Sequence, residues 1–150
     1  MAKRIKAYFI FVVALLLTLA AAYFFRDDPP PFSLRAGEKT ILLEIADTED
    51  KRIRGLSGRT SLPFETGLLF VYDQPGEHGI WMKEMAFPLD IFWLDEAYMV
   101  VDLEEAVAPE TFPFVFLPEK PALYVLEMNA GSADIFDIKI GDRFDPKGKR

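Results

Sequence analysis

The stretch Gly67-Leu68-Leu69-Phe70-Val71-Tyr72 carries no charge and is apolar from end to end. It follows Pro63 and runs into Asp73-Gln74-Pro75-Gly76, a turn signal. A short apolar run bounded in this way reads as a strand buried on both faces, at the centre of a sheet.

Working outward, the same pattern recurs. Upstream, Thr40–Ala46 (TILLEIA) is a second apolar strand with β-branched residues. Between the two, Asp47 is placed to cap a helix over Thr48–Ser57, with Glu49 and Asp50 in the first turn where negative charge suits the dipole. Gly58 falls where a left-handed C-cap is expected. Gly55 inside this helix costs about 1 kcal/mol relative to Ala and marks a close approach to another backbone. Downstream, strands are expected over Gly79–Lys83, Leu89–Asp95, Tyr98–Val107 and Ala122–Met128, then a short helix over Ala130–Phe136. Ile138–Phe144 holds a Gly-Asp turn into a last strand. The expected fold is α+β, mainly β: a small curled antiparallel sheet or partly open barrel with one or two short helices.

Ahead of this domain lies a different kind of sequence. Residues 7–25 are 19 uncharged residues, eleven of them Leu, Ile, Val or Phe. As a helix they span roughly 28 Å, close to the apolar thickness of a bilayer, and favour insertion by about 3–6 kcal/mol. Lys3, Arg4 and Lys6 precede the run and Asp27-Asp28 follow it, which places the N-terminus inside and the domain outside. The organisation expected is a basic cytoplasmic 1–6, a transmembrane anchor 7–25, a Pro-rich stalk 26–35, a globular domain 36–145 and a basic tail 146–150. A signal peptide cleaved near Ala20-Ala21-Ala22 is the alternative and would release a secreted domain, though the apolar run continues past that point through Phe25.

With three of the 17 basic residues before the run, 14 remain against 24 acidic ones, so the exported part sits near −10. Such a surface repels phosphate backbones, and nucleic-acid binding is not expected. Without Cys there are no disulfides and no thiolate metal ligands. No cofactor is indicated.

Several motifs bear on chemistry. Gly55-Leu56-Ser57-Gly58 lacks the G-x-S-x-G spacing of a nucleophile elbow, because Arg59 stands fifth. A triad of Ser57, His78 and Asp90 would have to assemble through the fold, and a helix-terminal Ser is the commoner reading. His78 is the single histidine; with Asp73 and Glu77 it offers thin support for a metal, and a solvated turn is the plainer reading. On a strand, Trp81 and Lys83 share one face while Ile80 and Met82 take the other. Lys83 and Asp90 are expected close together, either as an ion pair fixing register or, with Trp81, facing a cleft for an anionic or ring-bearing ligand. Arg54 and Arg59 bracket the glycine-rich helix end; they would receive a carboxylate or phosphate, or pair with acidic neighbours. Asp102, Glu104, Glu105 and Glu110 read as a solvated acidic edge. Phe112, Phe114 and Phe116 alternate between prolines and read as core packing, with a partner-binding strip as the alternative.

Taken in order, three blocks resemble a known family. They are Arg54-Gly55-Leu56-Ser57-Gly58-Arg59 with Leu62-Pro63 and Gly67–Val71; Trp81-Met82-Lys83 with Pro88-Leu89-Asp90-Ile91; and Tyr124–Glu127 with Asn129-Ala130-Gly131 and Gly141-Asp142. Spread over residues 40–144, they resemble the domain of unknown function 192 family. The resemblance implies a small, mostly β domain, often exported or tethered to a membrane, and points to no particular reaction. Departures from the family pattern fall at Ser57, where Met is usual, at Glu84-Met85, where Asn-Thr is usual, and at Asp137, where Gly is common. Asp tolerates a left-handed turn better than most residues.

Three functions remain open. One is a non-catalytic ligand-binding or accessory domain using Arg54, Arg59, Trp81, Lys83 and Asp90. Another is a cell-envelope hydrolase with Asp90 or Glu127 as acid or base. The last is a structural partner of a membrane protein, docking through residues 112–116. No catalytic residue is assigned by sequence, and the first reading is preferred.

Overall fold

The computed structural model describes residues 32–148. The basic N-terminus, the expected membrane anchor and the stalk up to residue 31 lie outside the described residues. Among the described residues no helix is long and apolar enough to cross a membrane.

The chain forms β1 (Ser33–Ala36), β2 (Lys39–Ala46), α1 (Glu49–Arg54), β3 (Thr66–Gly76), β4 (Ile80–Trp81), β5 (Leu89–Leu94), β6 (Val100–Val107), β7 (Val115–Phe116), β8 (Ala122–Asn129), α2 (Ser132–Phe136) and β9 (Asp145–Lys147). Seven strands make one sheet in the order β6-β5-β8-β3-β2-β1-β9, while β4 and β7 form a separate ribbon. The apolar stretch of β3 lies in the middle of the large sheet, between β8 and β2. Residues 33–35, at the end of the expected stalk, already belong to the sheet through β1.

The sheet is mixed rather than antiparallel. β2 and β3 run parallel, with Leu42 opposite Thr66 and Ala46 opposite Phe70. The reason is the connection: residues 47–65 carry α1 and return the chain to the end from which β2 began, as a parallel pair requires. Nor does the sheet close. An isolated bridge between Met99 and Arg143 ties the approach to β6 to the approach to β9.

Alternation along each strand divides the side chains between two buried faces. On the first, Leu69, Phe92 and Leu126 pack with Phe136 of α2 and with Phe144. On the second, Leu68, Phe70, Trp93 and Val125 are covered by Leu56 and Ile80 from the connecting segments. Burial on both sides explains why β5 is buried at every position and is apolar apart from Asp90.

Helix α1 is shorter than expected. Its N-cap is Thr48, whose Oγ1 accepts from the Lys51 amide, while Asp47 pairs with Lys51 Nζ at 2.7 Å. It stops at Gly55, whose φ of 49° and ψ of −131° leave the helical region, so Gly55 is the C-cap and not an interior residue. The close approach is there too: a Cβ on Gly55 would lie 3.3 Å from Phe70 Cζ, against a ring and not a backbone. The expected strand over 79–83 is reduced to Ile80–Trp81, because Glu84 takes a φ of 56° and turns the chain. The last strand forms at 145–147, after the expected 138–144. Asp137 adopts φ 51° and ψ 50°, the left-handed turn its residue type tolerates.

Candidate functional site

The site begins with register. Glu44 on β2 lies opposite Leu68 on β3, Leu68 opposite Glu127 on β8, and Glu127 opposite Ile91 on β5. Residues directly opposite point to one face, so this row puts a carboxyl among the apolar side chains of the second buried face. Glu127 is buried, and its Oε2 has no hydrogen-bond partner among the described residues. Burial pushes its carboxyl up to about 8, against a smaller opposing pull from the charge of Arg59. At neutral pH it is largely a neutral acid and thus a potential hydrogen-bond donor.

Glu127 lies on the wall of a small cleft between α1 and its C-terminal turn on one side and the 79–85 segment on the other. Arg52, Arg54, Ser57, Tyr72 and Trp81 share that wall. Its volume of about 50 Å³ is far below the several hundred Å³ that enclose a drug-sized ligand. It takes one functional group, with the rest of a ligand outside over the rim. Larger hollows, of about 290 Å³ beside Phe136 and Arg143 and about 460 Å³ beside Ile138 and Ile140, have no such buried carboxyl on their walls.

The cations around the cleft differ in their commitments. Arg52 donates to the Val71 carbonyl at 2.8 Å and sits 5.2 Å from the centre of the Tyr72 ring. Arg59 donates to both oxygens of Glu44, at 2.6 and 2.7 Å, and this pairing holds the Glu44 carboxyl below its ordinary value and raises that of Arg59. The Arg54 guanidinium, by contrast, makes no hydrogen bond or ion pair among the described residues, although the Arg54 carbonyl accepts from the Ser57 amide at 3.0 Å. Arg54 borders both the Glu127 cleft and the adjoining hollow beside Glu44 and Arg59. The Tyr72 phenol is pushed up by burial, with Arg52 opposing and Glu127 adding to the shift. Its ring stacks on His78, with centroids 3.4 Å apart.

The sequence candidates thus separate. Arg54 and Trp81 reach the cleft, and Arg59 acts beside it through Glu44 and through its charge on Glu127. Trp81 is 46% exposed, and Lys83 Nζ lies 5.9 Å from its ring centre, so the two share a face as expected. The Lys83 carbonyl accepts the Ser57 hydroxyl at 2.8 Å.

Asp90 does not join them, and its expected pairing with Lys83 is not formed. It points to the opposite face of the sheet, 1% exposed, with Oδ1 accepting from the Ala106 amide and Oδ2 from the Ala133 amide, each at 2.8 Å. Gly131, the N-cap of α2, has no side chain to offer, and Asp90 supplies that acceptor from β5. The Ser57–His78–Asp90 arrangement is excluded by the same geometry: Ser57 serves Lys83, His78 Nε2 meets the Gln74 carbonyl at 3.0 Å, and Asp90 serves two amides. No three His, Asp or Glu side chains gather as a metal site among the described residues.

From sequence, Glu127 stands out only as one of two acid–base candidates, and nothing singles out Tyr72 or Arg52. A signal for Glu127 was present: it is the one charged residue in the strand Ala122–Asn129. The Phe strip is partly open to solvent. Phe114 is 61% exposed, Phe116 packs against the second core face, and Phe112 meets the edge of Trp81 at 6.1 Å between centroids.

Comparison with known proteins gives a consistent outcome. UPF0127 protein PF1050 of Pyrococcus furiosus is 30% identical over 116 residues, covering 71% of this chain and 90% of that protein. A solved structure of a protein of unknown function from Novosphingobium aromaticivorans is 28% identical, with a TM-score of 0.70 over 78% of this chain and 84% of that one. A Sinorhizobium meliloti structure, named as a candidate transcription regulator, has a TM-score of 0.71 at 24% identity over 77% of this chain and 91% of that chain, a likeness of fold alone. The profile of the DUF192 family, described as an uncharacterized ACR, matches residues 32–146. The chain belongs to the DUF192 family.

Proposed function

We propose that this protein is a membrane-anchored, extracytoplasmic module that binds a small molecule at the Glu127 cleft without converting it. The observation that carries the reading is the Glu127 carboxyl: buried, lacking a partner at Oε2 among the described residues, and set on the wall of an open cleft. A buried polar group left unsatisfied costs about 1–3 kcal/mol, and a ligand that satisfies it recovers that cost. The Arg54 guanidinium, without a partner among the described residues, and Trp81 at the rim supply a charge and a ring face beside it. The apolar 7–25 segment, with basic residues before it and acidic ones after, supports the location.

The test is thermal unfolding of the full-length chain in neutral detergent against sugars, nucleotides, amino acids and organic acids. A ligand at a hundred times its Kd stabilises by about 2.7 kcal/mol. The expected result is a hit that disappears in Glu127→Leu and weakens in Trp81→Ala. A hit unchanged in both variants would remove the cleft from the function. No response across the panel would favour docking through Phe112 and Phe114 instead.

A second reading, an envelope hydrolase with Glu127 as general acid, is favoured by the raised carboxyl, since acids tuned near neutrality suit proton transfer. Turnover of a chromogenic glycoside or ester, lost in Glu127→Gln, would support it. Asp90 is not part of this reading, as both its oxygens are occupied.

A further inference from the structure

The polar groups around the cleft are unbalanced. Arg52 and Arg54 from α1 and the Tyr72 phenol from β3 are all able to donate, and the guanidinium of Arg54 is uncommitted among the described residues. The cleft has no second carboxylate on its wall, although the chain as a whole carries a net charge of −7. Cationic groups are therefore repelled from a spot that a strongly acidic protein has made locally positive. Because Glu127 lines a space of only about 50 Å³, room for a few waters, only a compact group reaches it. One free guanidinium matches one negative charge. Next to this space stands the exposed Trp81 ring, which offers a flat apolar surface to whatever carries the anion.

We propose that the cleft recognises a monoanionic carboxylate borne by a small ring, with the carboxylate held between Arg54 and the hydrogen-bond-donating Glu127 and the ring resting on Trp81. This rests on the ligand-binding reading above and names the class of ligand. A carboxylate offers planar acceptor oxygens to the fork of Arg54 and to a proton donor on the other side. Glu127 is the group that makes the recognition conditional: when it ionises, it withdraws its proton and sets a second negative charge against the ligand.

The charged and titratable groups that face Glu127 are Arg52 and Arg54 from α1, Arg59 from the segment that follows, and Tyr72 from β3. Lys83 lies beside Trp81, and His78 is stacked on Tyr72. The arginines keep their charge across the range tested, and Tyr72 is pushed upward by burial. His78 is controlled for by a His78→Gln variant.

The experiment is a tryptophan-fluorescence titration of the full-length chain in neutral detergent, with benzoate, benzamide, acetate and phenyl phosphate, from pH 6 to 9.5. Benzoate is expected to bind at least tenfold tighter than benzamide, its neutral isostere, and tighter than acetate, which lacks the ring. The preference is expected to vanish in Arg54→Ala. Above about pH 8 the affinity for benzoate is expected to fall about tenfold per pH unit, as the proton required for binding is lost. In Glu127→Gln, whose amide still donates, the affinity stays flat with pH, and in His78→Gln the wild-type profile is retained. Equal affinity for benzoate and benzamide, tighter binding of phenyl phosphate than of benzoate, or a pH profile unchanged in Glu127→Gln would each overturn the assignment. If benzoate does not bind but a neutral ligand from the wider panel does, and that response is lost in Glu127→Leu, the carboxylate inference fails while the cleft remains a binding site.

Discussion

Arg59 holds Glu44 with both terminal nitrogens of its guanidinium, at 2.6 and 2.7 Å, and so leaves Glu127, two strands away, without a bonded cation among the described residues. One acid in the row is ionised and paired at the surface, and the other is buried and largely neutral. The different fates of two glutamates on one face of one sheet shape the pH behaviour of the domain.

Glutamate 127 should make the domain less stable as pH rises. Its native carboxyl is raised to about 8, while in the unfolded chain it titrates near 4.3. Between these values the native state holds a proton that the unfolded state has lost, so its contribution is fully present below the lower value and declines as pH rises to the upper one. The loss is on the order of a few kcal/mol. Urea midpoints from pH 4 to 9 should show this fall in the wild type and a flatter profile in Glu127→Gln, with the variant the more stable at pH 9. A wild-type profile as flat as that of the variant would refute the claim.

Replacing Arg59 with Ala should have two separate effects. The lost pair is partly exposed, so its direct cost is at most about 1 kcal/mol. Arg59 also opposes the upward shift of Glu127. Without it, the decline in stability should extend to higher pH than in the wild type, which the same urea series measures.

Asp90→Asn should destabilise by about 2–4 kcal/mol, because an amide nitrogen would then confront one of the two backbone amides that the carboxylate now accepts. Chemical denaturation gives the cost. Any ligand response of the cleft should persist in the folded fraction, since Asp90 lies on the other face.

Gly55→Ala should cost about 1–3 kcal/mol, as φ 49° with ψ −131° is strained for a residue with a side chain. The new Cβ would also press on Phe70 at 3.3 Å. Combining it with Phe70→Leu should recover the packing part of the loss but not the backbone part, a difference readable in a double-mutant cycle.

Much of this fold is legible in local pattern. The run from Gly67 to Tyr72 announces a central strand because burial on both faces favours apolar side chains at successive positions. Gly55 and Gly58 announce a chain reversal near a packed surface. The parallel pairing of β2 and β3 is not legible, because direction depends on where residues 47–65 return the chain, and no single residue in that connection encodes it. Lys83 and Asp90 show the same limit in the site. Sequence separation suggested an ion pair, but the turn at Glu84 and the alternation along β5 send the two to opposite sides of the sheet. Arg54, Arg59 and Trp81 were visible as residue types suited to a ligand. Tyr72 was hidden inside the run that defined the core, where its hydroxyl looked like one more aromatic edge.

The two outer strands of the large sheet, tied to each other only near Val100 and the Met99–Arg143 bridge, have a bearing on how this domain meets others. On one side, β6 presents Glu104 and Glu105 and is distorted by Ala106, with φ of 51°; on the other, β9 is three residues long and contains Pro146. Repelling charge, a kinked backbone, brevity and a missing donor are the features that discourage a foreign strand from zipping onto a sheet. Crowded beside its own copies, this domain is thereby protected from edge-to-edge polymerisation, and its traffic with other molecules is directed to the faces lined by side chains.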